Sequence, residues 1–176
     1  IIQNNQKVLY DPSLYVYHHY TLNGATWKGI GWLSSKHKIL GITLARGGSK
    51  GIKNKNIKLL NNRPLIYYTI REALKSKYLT SYIVSTDSKD IKKISEKYGA
   101  NVPFLRPTKW SSDTSSSSDA LKHAIKFMEK LHNTKYDFII EIMATNPLKS
   151  FKDIDALIYK LIKTKADTVI AMSKVT

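Results

Sequence analysis

From Lys38 onward, short apolar runs alternate with amphipathic segments, the pattern of parallel strands covered on both faces by crossover helices. Ile39 to Ala45, Tyr82 to Thr86, Val102 to Leu105, Phe138 to Met143 and Thr168 to Met172 read as successive strands. Between them Ile66, Ile70, Ala73 and Leu74 recur at helical spacing, followed by Ile91, Ile94 and Tyr98. Leu121, Ala124, Ile125, Met128 and Leu131 mark a third helix, and Ile154, Leu157, Ile158, Leu161 and Ile162 a fourth. Pro64 suits the first turn of the first helix, where its missing N–H costs nothing. Asp87 or Ser88 can cap the second, which Gly99 ends; for Asp87, capping is preferred over a contact with ribose or metal. Ser150 and Asp153 have the spacing of a capping box. Five strands alternating with four helices predict an α/β fold, a doubly wound and mainly parallel sheet of Rossmann-like type.

Residues 1–37 differ in character: Tyr10, Tyr15, Tyr17, Tyr20, Trp27 and Trp32 crowd together, while Gly24, Gly29 and Gly31 interrupt any helix. They are expected to be a separate segment, the tail of an upstream module, with a strand from Leu14 to Tyr20. His18 and His19 are neighbours and point to opposite faces of a strand, so structural or surface roles are preferred over a shared metal. The division expected is therefore 1–37 and 38–176.

Composition narrows the class. The 176 residues, 42% hydrophobic, suffice for one domain with a real core. Apolar runs are only a few residues long, far short of the roughly 18 that cross a bilayer, and no membrane partner is expected. Without cysteine or a secretory leader pattern, a cytoplasmic protein is expected. A formal net charge of +16, from 29 Lys and Arg against 13 Asp and Glu, attracts polyanions. The excess is mostly lysine spread along the chain, so a solvated basic surface is expected and nucleic acid is not the expected partner. Ile1 in place of Met, and no cap signal at Ser173 to Thr176, suggest a chain cut at both ends.

The chemistry is expected just past the first strand, where Arg46-Gly47-Gly48-Ser49-Lys50-Gly51 combines adjacent glycines with cations. In open α/β sheets ligands bind beyond the carboxyl ends of the strands, and glycines let backbone N–H groups approach phosphate oxygens. The spacing matches neither the Walker phosphate loop nor the dinucleotide fingerprint. A plain turn remains the alternative for the loop taken alone.

Together with this loop, Lys55-Asn56, Pro64-Leu65-Ile66, Ser85-Thr86-Asp87, Leu105-Arg106-Pro107, Ser112-Asp113-Thr114, His123-Ala124 and Thr145-Asn146-Pro147-Leu148-Lys149 resemble the acylneuraminate cytidylyltransferase family in order and spacing. The resemblance runs from about Lys38 to the end. It implies the fold of nucleotide-diphospho-sugar transferases, truncated here, and an enzyme that joins CTP to a nine-carbon, sialic-acid-like (nonulosonic) sugar acid, releasing pyrophosphate. It implies that Arg46, Gly47, Gly48, Ser49 and Lys50 hold the triphosphate, with Lys55 supporting the phosphates and Asn56 nearby. Arg46, Lys50 and Lys55 would stabilise charge on the leaving pyrophosphate. Arg106 and Ser117 would contact the cytidine, and Asp113 stays open between structural and ligand roles.

The segment Met143 to Lys149, with Met143, Thr145 and Asn146 as its site residues, corresponds to the family's sugar-side loop. It departs from many relatives, which have Gln, Ser and Arg where Met143, Asn146 and Lys149 stand. The family also implies Mg²⁺ as cofactor, held by aspartates beyond Thr176, and a homodimer when full length. On that basis the 176-residue chain is expected to bind CTP but to turn over poorly. The alternatives are a same-fold enzyme charging another sugar acid such as Kdo, and a non-catalytic anion-binding module.

Overall fold

The computed structural model describes residues 2–3, 6–11, 36–48, 51–111 and 116–172. The expected strand at 14–20, the His18-His19 pair and Asp113 lie outside the described residues.

Ile39–Leu44 (β3) is the central strand of a parallel three-stranded sheet, flanked by Ser81–Ser85 (β6) and Phe138–Glu141 (β7). Leu40 pairs with Ser81 on one side and Ile139 on the other. The expected third strand is reduced to isolated parallel bridges, Ile83 with Asn101 and Thr86 with Leu105, which extend the sheet beyond β6. The order is therefore third, second, first, fourth, and the reversal falls between β3 and β7. A crevice opens there in doubly wound sheets.

Alternation along β3 divides the core in two. Ile39 joins Tyr82 and Val84 in a cluster with Ile66, Ile70, Ala73, Ile91, Ile154 and Ile158, whereas Leu40 and Ile42 join Ile83, Ala124 and Met128. These residues place the helices Leu65–Lys75 (α1), Lys89–Lys97 (α2) and Phe151–Thr164 (α4) on one face of the sheet, and Ser117–Leu131 (α3) on the other. Each isoleucine removed from water here contributes about 2 kcal/mol, which is why both faces must be covered. All four expected helices form.

Thr43 interrupts the apolar pattern on the α1 face yet is fully buried. Its Oγ1 donates to the Ile142 carbonyl at 2.8 Å, so its other contact, 2.8 Å from the Tyr82 hydroxyl, must be one in which tyrosine donates. One hydroxyl thus ties β3 to both neighbours directly beneath the loops that leave their carboxyl ends.

Local signals held with small shifts. Ser150 and Asp153 form the expected capping box at α4, and Gly99, at φ +88°, ends α2. Pro64 immediately precedes α1 instead of occupying its first turn, because it pairs with Leu59 in a short hairpin of Leu59–Leu60 (β4) and Arg63–Pro64 (β5). Asn61 and Asn62 turn that hairpin with φ of 47° and 60°, the left-handed pair a tight hairpin requires. Leu74 is half exposed, since the buried stripe of α1 runs through Ile66, Thr69, Ile70 and Ala73 and leaves Leu74 at its edge.

Thr168–Ala171 (β8) forms where the fifth strand is expected, but its ladder partner is Gln6–Asp11 (β2), parallel, with Val8 opposite Thr168. Ile2–Gln3 (β1) pairs antiparallel with β2. Among the described residues, no helix is long and apolar enough to cross a membrane.

Candidate active site at the carboxyl edge of the sheet

Two loops flank the crevice: Ala45 to Lys58 after β3, and Ile142 to Ser150 after β7. The first is held at the Arg46–Gly47 peptide that opens its glycine turn, on both the carbonyl and the N–H side. The buried Asn56 side chain donates from Nδ2 to the Arg46 carbonyl at 3.0 Å, and the Gly47 N–H donates to Asp87 Oδ1 at 2.9 Å. Asn56 reaches this position because Asn54, at φ 55°, starts the 3₁₀ turn Lys55–Ile57. Its amide therefore fixes the loop backbone. Lys55 sits half-buried in the same turn.

Asp87 is not the helix cap. Ser88 takes that role, its hydroxyl accepting from the Ile91 N–H at 3.4 Å, while Asp87 turns toward the glycine loop. Capping is decided by sequence-local geometry, and Ser88 satisfies it one residue later, which releases Asp87 for a partner 40 positions away.

Arg106 is buried against this carboxylate. Its backbone N–H donates to the Thr86 carbonyl at 2.7 Å, its Nε to Ser111 Oγ at 3.0 Å, and its Nη2 lies 3.9 Å from Asp87 Oδ1. Burial lowers its pKa, Asp87 raises it, and Arg46 lowers it further. The three sequence-distant residues Arg46, Asp87 and Arg106 thus share one electrostatic neighbourhood. His123 on α3 borders it, edge-on to Phe104 at 4.8 Å, with a buried and unpartnered Nδ1. Burial first, then the charges of Arg106 and Lys109, hold the His123 pKa below the ordinary histidine value.

Of the expected site residues, the structure brings together Arg46, Gly47, Gly48, Asn56 and Arg106. Ser49 and Lys50 lie outside the described residues. Ser117 is exposed at the start of α3, where its neighbour Ser116 caps the helix.

The two glycines of the loop differ. A Cβ on Gly47 would meet Ser88 Cβ at 3.0 Å, whereas nothing lies within 4 Å of one on Gly48. Gly47→Ala is therefore expected to destabilise the fold, while Gly48→Ala should leave thermal melting unchanged and, if the turn receives an anion as its residue types suggest, weaken anion binding, because the added methyl would fill open space beside the backbone. Equal melting losses in both variants, with ligand binding intact in Gly48→Ala, would refute this division.

The loop after β7 is organised by Lys149. Its Nζ donates at 2.6 Å to each of Thr69 Oγ1, the Met143 carbonyl and the Asn146 carbonyl. Burial pushes the Lys149 pKa down to about 8, against the opposing charge of Glu72. Around this cation Met143 and Thr145 are exposed and Asn146 is half-buried. Glu72, buried in α1, accepts from the Phe151 N–H at 3.0 Å, Arg71 Nε at 2.7 Å and Lys75 Nζ at 3.3 Å. Sequence reading missed Glu72 and Thr69. The available signal was polar residues lying within the apolar stripe of α1, which a solvent-facing helix position does not explain.

Among the described residues no three of His, Cys, Asp or Glu converge as a metal site. A recess of about 370 Å³, lined in part by Lys36, His37, Phe138 and Ile162, opens beside the start of β7, away from these loops.

Comparison with known proteins gives concordant results. Residues 40–176 match a family model described as cytidylyltransferase. The post-translational flagellin modification protein B of Campylobacter coli is 40% identical over 117 residues, 66% of this chain and 50% of that protein. The N-acylneuraminate cytidylyltransferase of Escherichia coli is 39% identical over 112 residues, 64% of this chain and 25% of that protein. A pseudaminic acid cytidylyltransferase of Campylobacter jejuni is 35% identical over 137 residues, 78% of this chain and 59% of that protein. The chain thus spans between a quarter and about three fifths of the length of these relatives. A solved CMP:2-keto-3-deoxy-manno-octonic acid synthetase complexed with CTP superposes with a TM-score of 0.60 at 20% identity, covering 73% of this chain and 49% of that one, a likeness of fold.

Proposed function

This chain belongs to the cytidylyltransferase family, and from that premise we propose that it serves an enzyme coupling CTP to a nonulosonic, sialic-acid-like sugar acid, giving CMP-sugar and pyrophosphate. The observation that carries the reading is the glycine turn after β3, anchored by Asn56 and Asp87 so that Gly48 faces open space beside Arg46 and Arg106. The relatives' names, which cite acylneuraminic and pseudaminic acids, support the acceptor class.

In this reading Arg46, Gly47, Gly48, Ser49 and Lys50 receive the triphosphate, with Lys55 as a further cation. The anomeric hydroxyl of the sugar acid attacks the α-phosphorus in line and gives up its proton to water. The oxygen–phosphorus bond to CMP forms as the bond to pyrophosphate breaks, and the cations stabilise charge gathering on the leaving group. Arg106 and Ser117 face the cytidine, and Met143, Thr145 and Asn146 border the sugar. Magnesium is expected to accompany CTP; among the described residues no three carboxylates or histidines converge to hold it, and Asp87 at the loop is engaged by Gly47 and lies near Arg106. A homodimer and a cytoplasmic setting, where CTP is made, complete the proposal.

Titration with CTP, UTP, ATP and GTP tests it. Saturable binding with cytosine preferred by about tenfold is expected, a discrimination of 1.4 kcal/mol that a few base-edge hydrogen bonds supply. Supplying nonulosonic acids and Kdo in parallel, with pyrophosphate release as readout, distinguishes the acceptors. Binding that ignores the base and collapses steeply with salt would instead identify an anion-binding module.

A further inference from the structure

We infer that Lys149 is a positioning residue that closes the Met143–Asn146 loop onto α1, and that it does not itself bind the acceptor's carboxylate; this rests on the reading of that loop as the acceptor side. An ammonium group has three N–H donors and no acceptor. All three are engaged at 2.6 Å, by Thr69 Oγ1, the Met143 carbonyl and the Asn146 carbonyl. Thr69 Oγ1 also donates to the Met143 carbonyl at 3.2 Å, so helix and loop are joined twice at one point. The two carbonyls bracket the buried Ala144 and the exposed Thr145, which fixes the span from which the Thr145 side chain projects.

To reach a substrate carboxylate, Lys149 would have to break one of these bonds, leaving the buried Thr69 hydroxyl or one of the two loop carbonyls without it. Burial already disfavours its charge, the Glu72 carboxylate of α1 opposing that effect. Glu72 in turn grips the Phe151 N–H at the start of α4, so the base of the loop is anchored on both sides. The cation is thus walled in by α1 and its own loop, and the carboxylate of an acceptor must find another donor.

The test compares Lys149→Met, similar in length but without donors, with the wild-type chain. CTP affinity is measured first, then affinity for a nonulosonic acid and for its carboxamide at saturating CTP. The expected result is CTP affinity within about twofold, with acid and amide both weakened about tenfold, the cost of roughly one lost hydrogen bond, so that their ratio is preserved. Amide hydrogen exchange at residues 143–146 should accelerate, and Lys149→Arg should recover part of both losses. A loss confined to the acid, or unaltered exchange, overturns the inference. Thr69→Val, which removes one of the three acceptors, is expected to loosen the same amides, and serves if Lys149→Met does not fold. Failure of the wild-type chain to bind CTP sinks the functional reading itself, and CTP binding without any acceptor binding sinks the acceptor-side reading. CTP and acceptor binding that Lys149→Met leaves unchanged sinks the positioning role alone.

Discussion

Arg46→Ala is expected to weaken CTP binding by about 100-fold, or 2.7 kcal/mol, with the fold retained. The magnitude follows from a charge-assisted hydrogen bond to phosphate, roughly 1.5 to 3 kcal/mol, made from a side chain whose root is already fixed. That root is fixed because Asn56 holds the Arg46 carbonyl and Asp87 holds the next N–H. Loss of the side chain would therefore remove the proposed phosphate contact while the backbone bonds that hold the turn remain. Lys50→Ala should act in the same direction. Isothermal titration at two salt concentrations provides the check, since loss of a phosphate contact also flattens the salt dependence. A dissociation constant within about threefold of wild type would remove Arg46 from the phosphate site, because a gap below roughly 0.7 kcal/mol is smaller than any direct ionic hydrogen bond.

Glu72→Ala is expected to cost about 3 kcal/mol of stability, lowering the melting temperature by roughly 10 °C for a domain of this size. The Glu72 carboxylate is almost wholly buried, and its removal leaves the first N–H of α4 without its acceptor and Lys149 without its opposing charge. Burial pushes its pKa up, but hydrogen bonds from the Phe151 N–H, Arg71 and Lys75, with the charge of Arg71, more than offset that and hold it below the usual 4.5. The sign follows from linkage. A carboxylate with a depressed folded pKa contributes stability that is present above 4.5 and fades as pH falls through the folded value. Denaturant unfolding of both proteins, followed from about pH 6 downward where Lys149 stays charged in the wild type, should show a gap that narrows in acid. A gap independent of pH down to about 3, below the unfolded glutamate's value, would show that the loss is one of packing alone.

Much of the fold was legible because its signals are local. The stripe of Ile91 and Ile94, the alternation through Ile39 and Leu40, and the Ser150–Asp153 box all depend on neighbours within a turn or a pleat. The glycine turn was legible for a similar reason, since its residue types follow directly on a buried strand. Asp87 was misread because helix capping is the commonest local use of such an aspartate, and only the approach of Gly47 across β3 and β6 reveals the alternative. Leu74 recurs at helical spacing with the buried residues yet is half exposed, because spacing alone does not say how wide the buried stripe is.

The sequence by itself determined the alternating α/β plan and the four helices, and it marked the glycine-rich turn after the first buried strand. Only the tertiary structure decided what Asn56, Asp87, Glu72, Thr69 and Lys149 do. Asn56, Asp87 and Thr69 find partners between 10 and 80 positions away, and Glu72 and Lys149 each add one such partner to others within six positions. Periodicity reports which face of an element is buried, a property of each segment alone. A polar side chain's role depends on which acceptor or donor the strand order brings within about 3 Å, and no single segment carries that information.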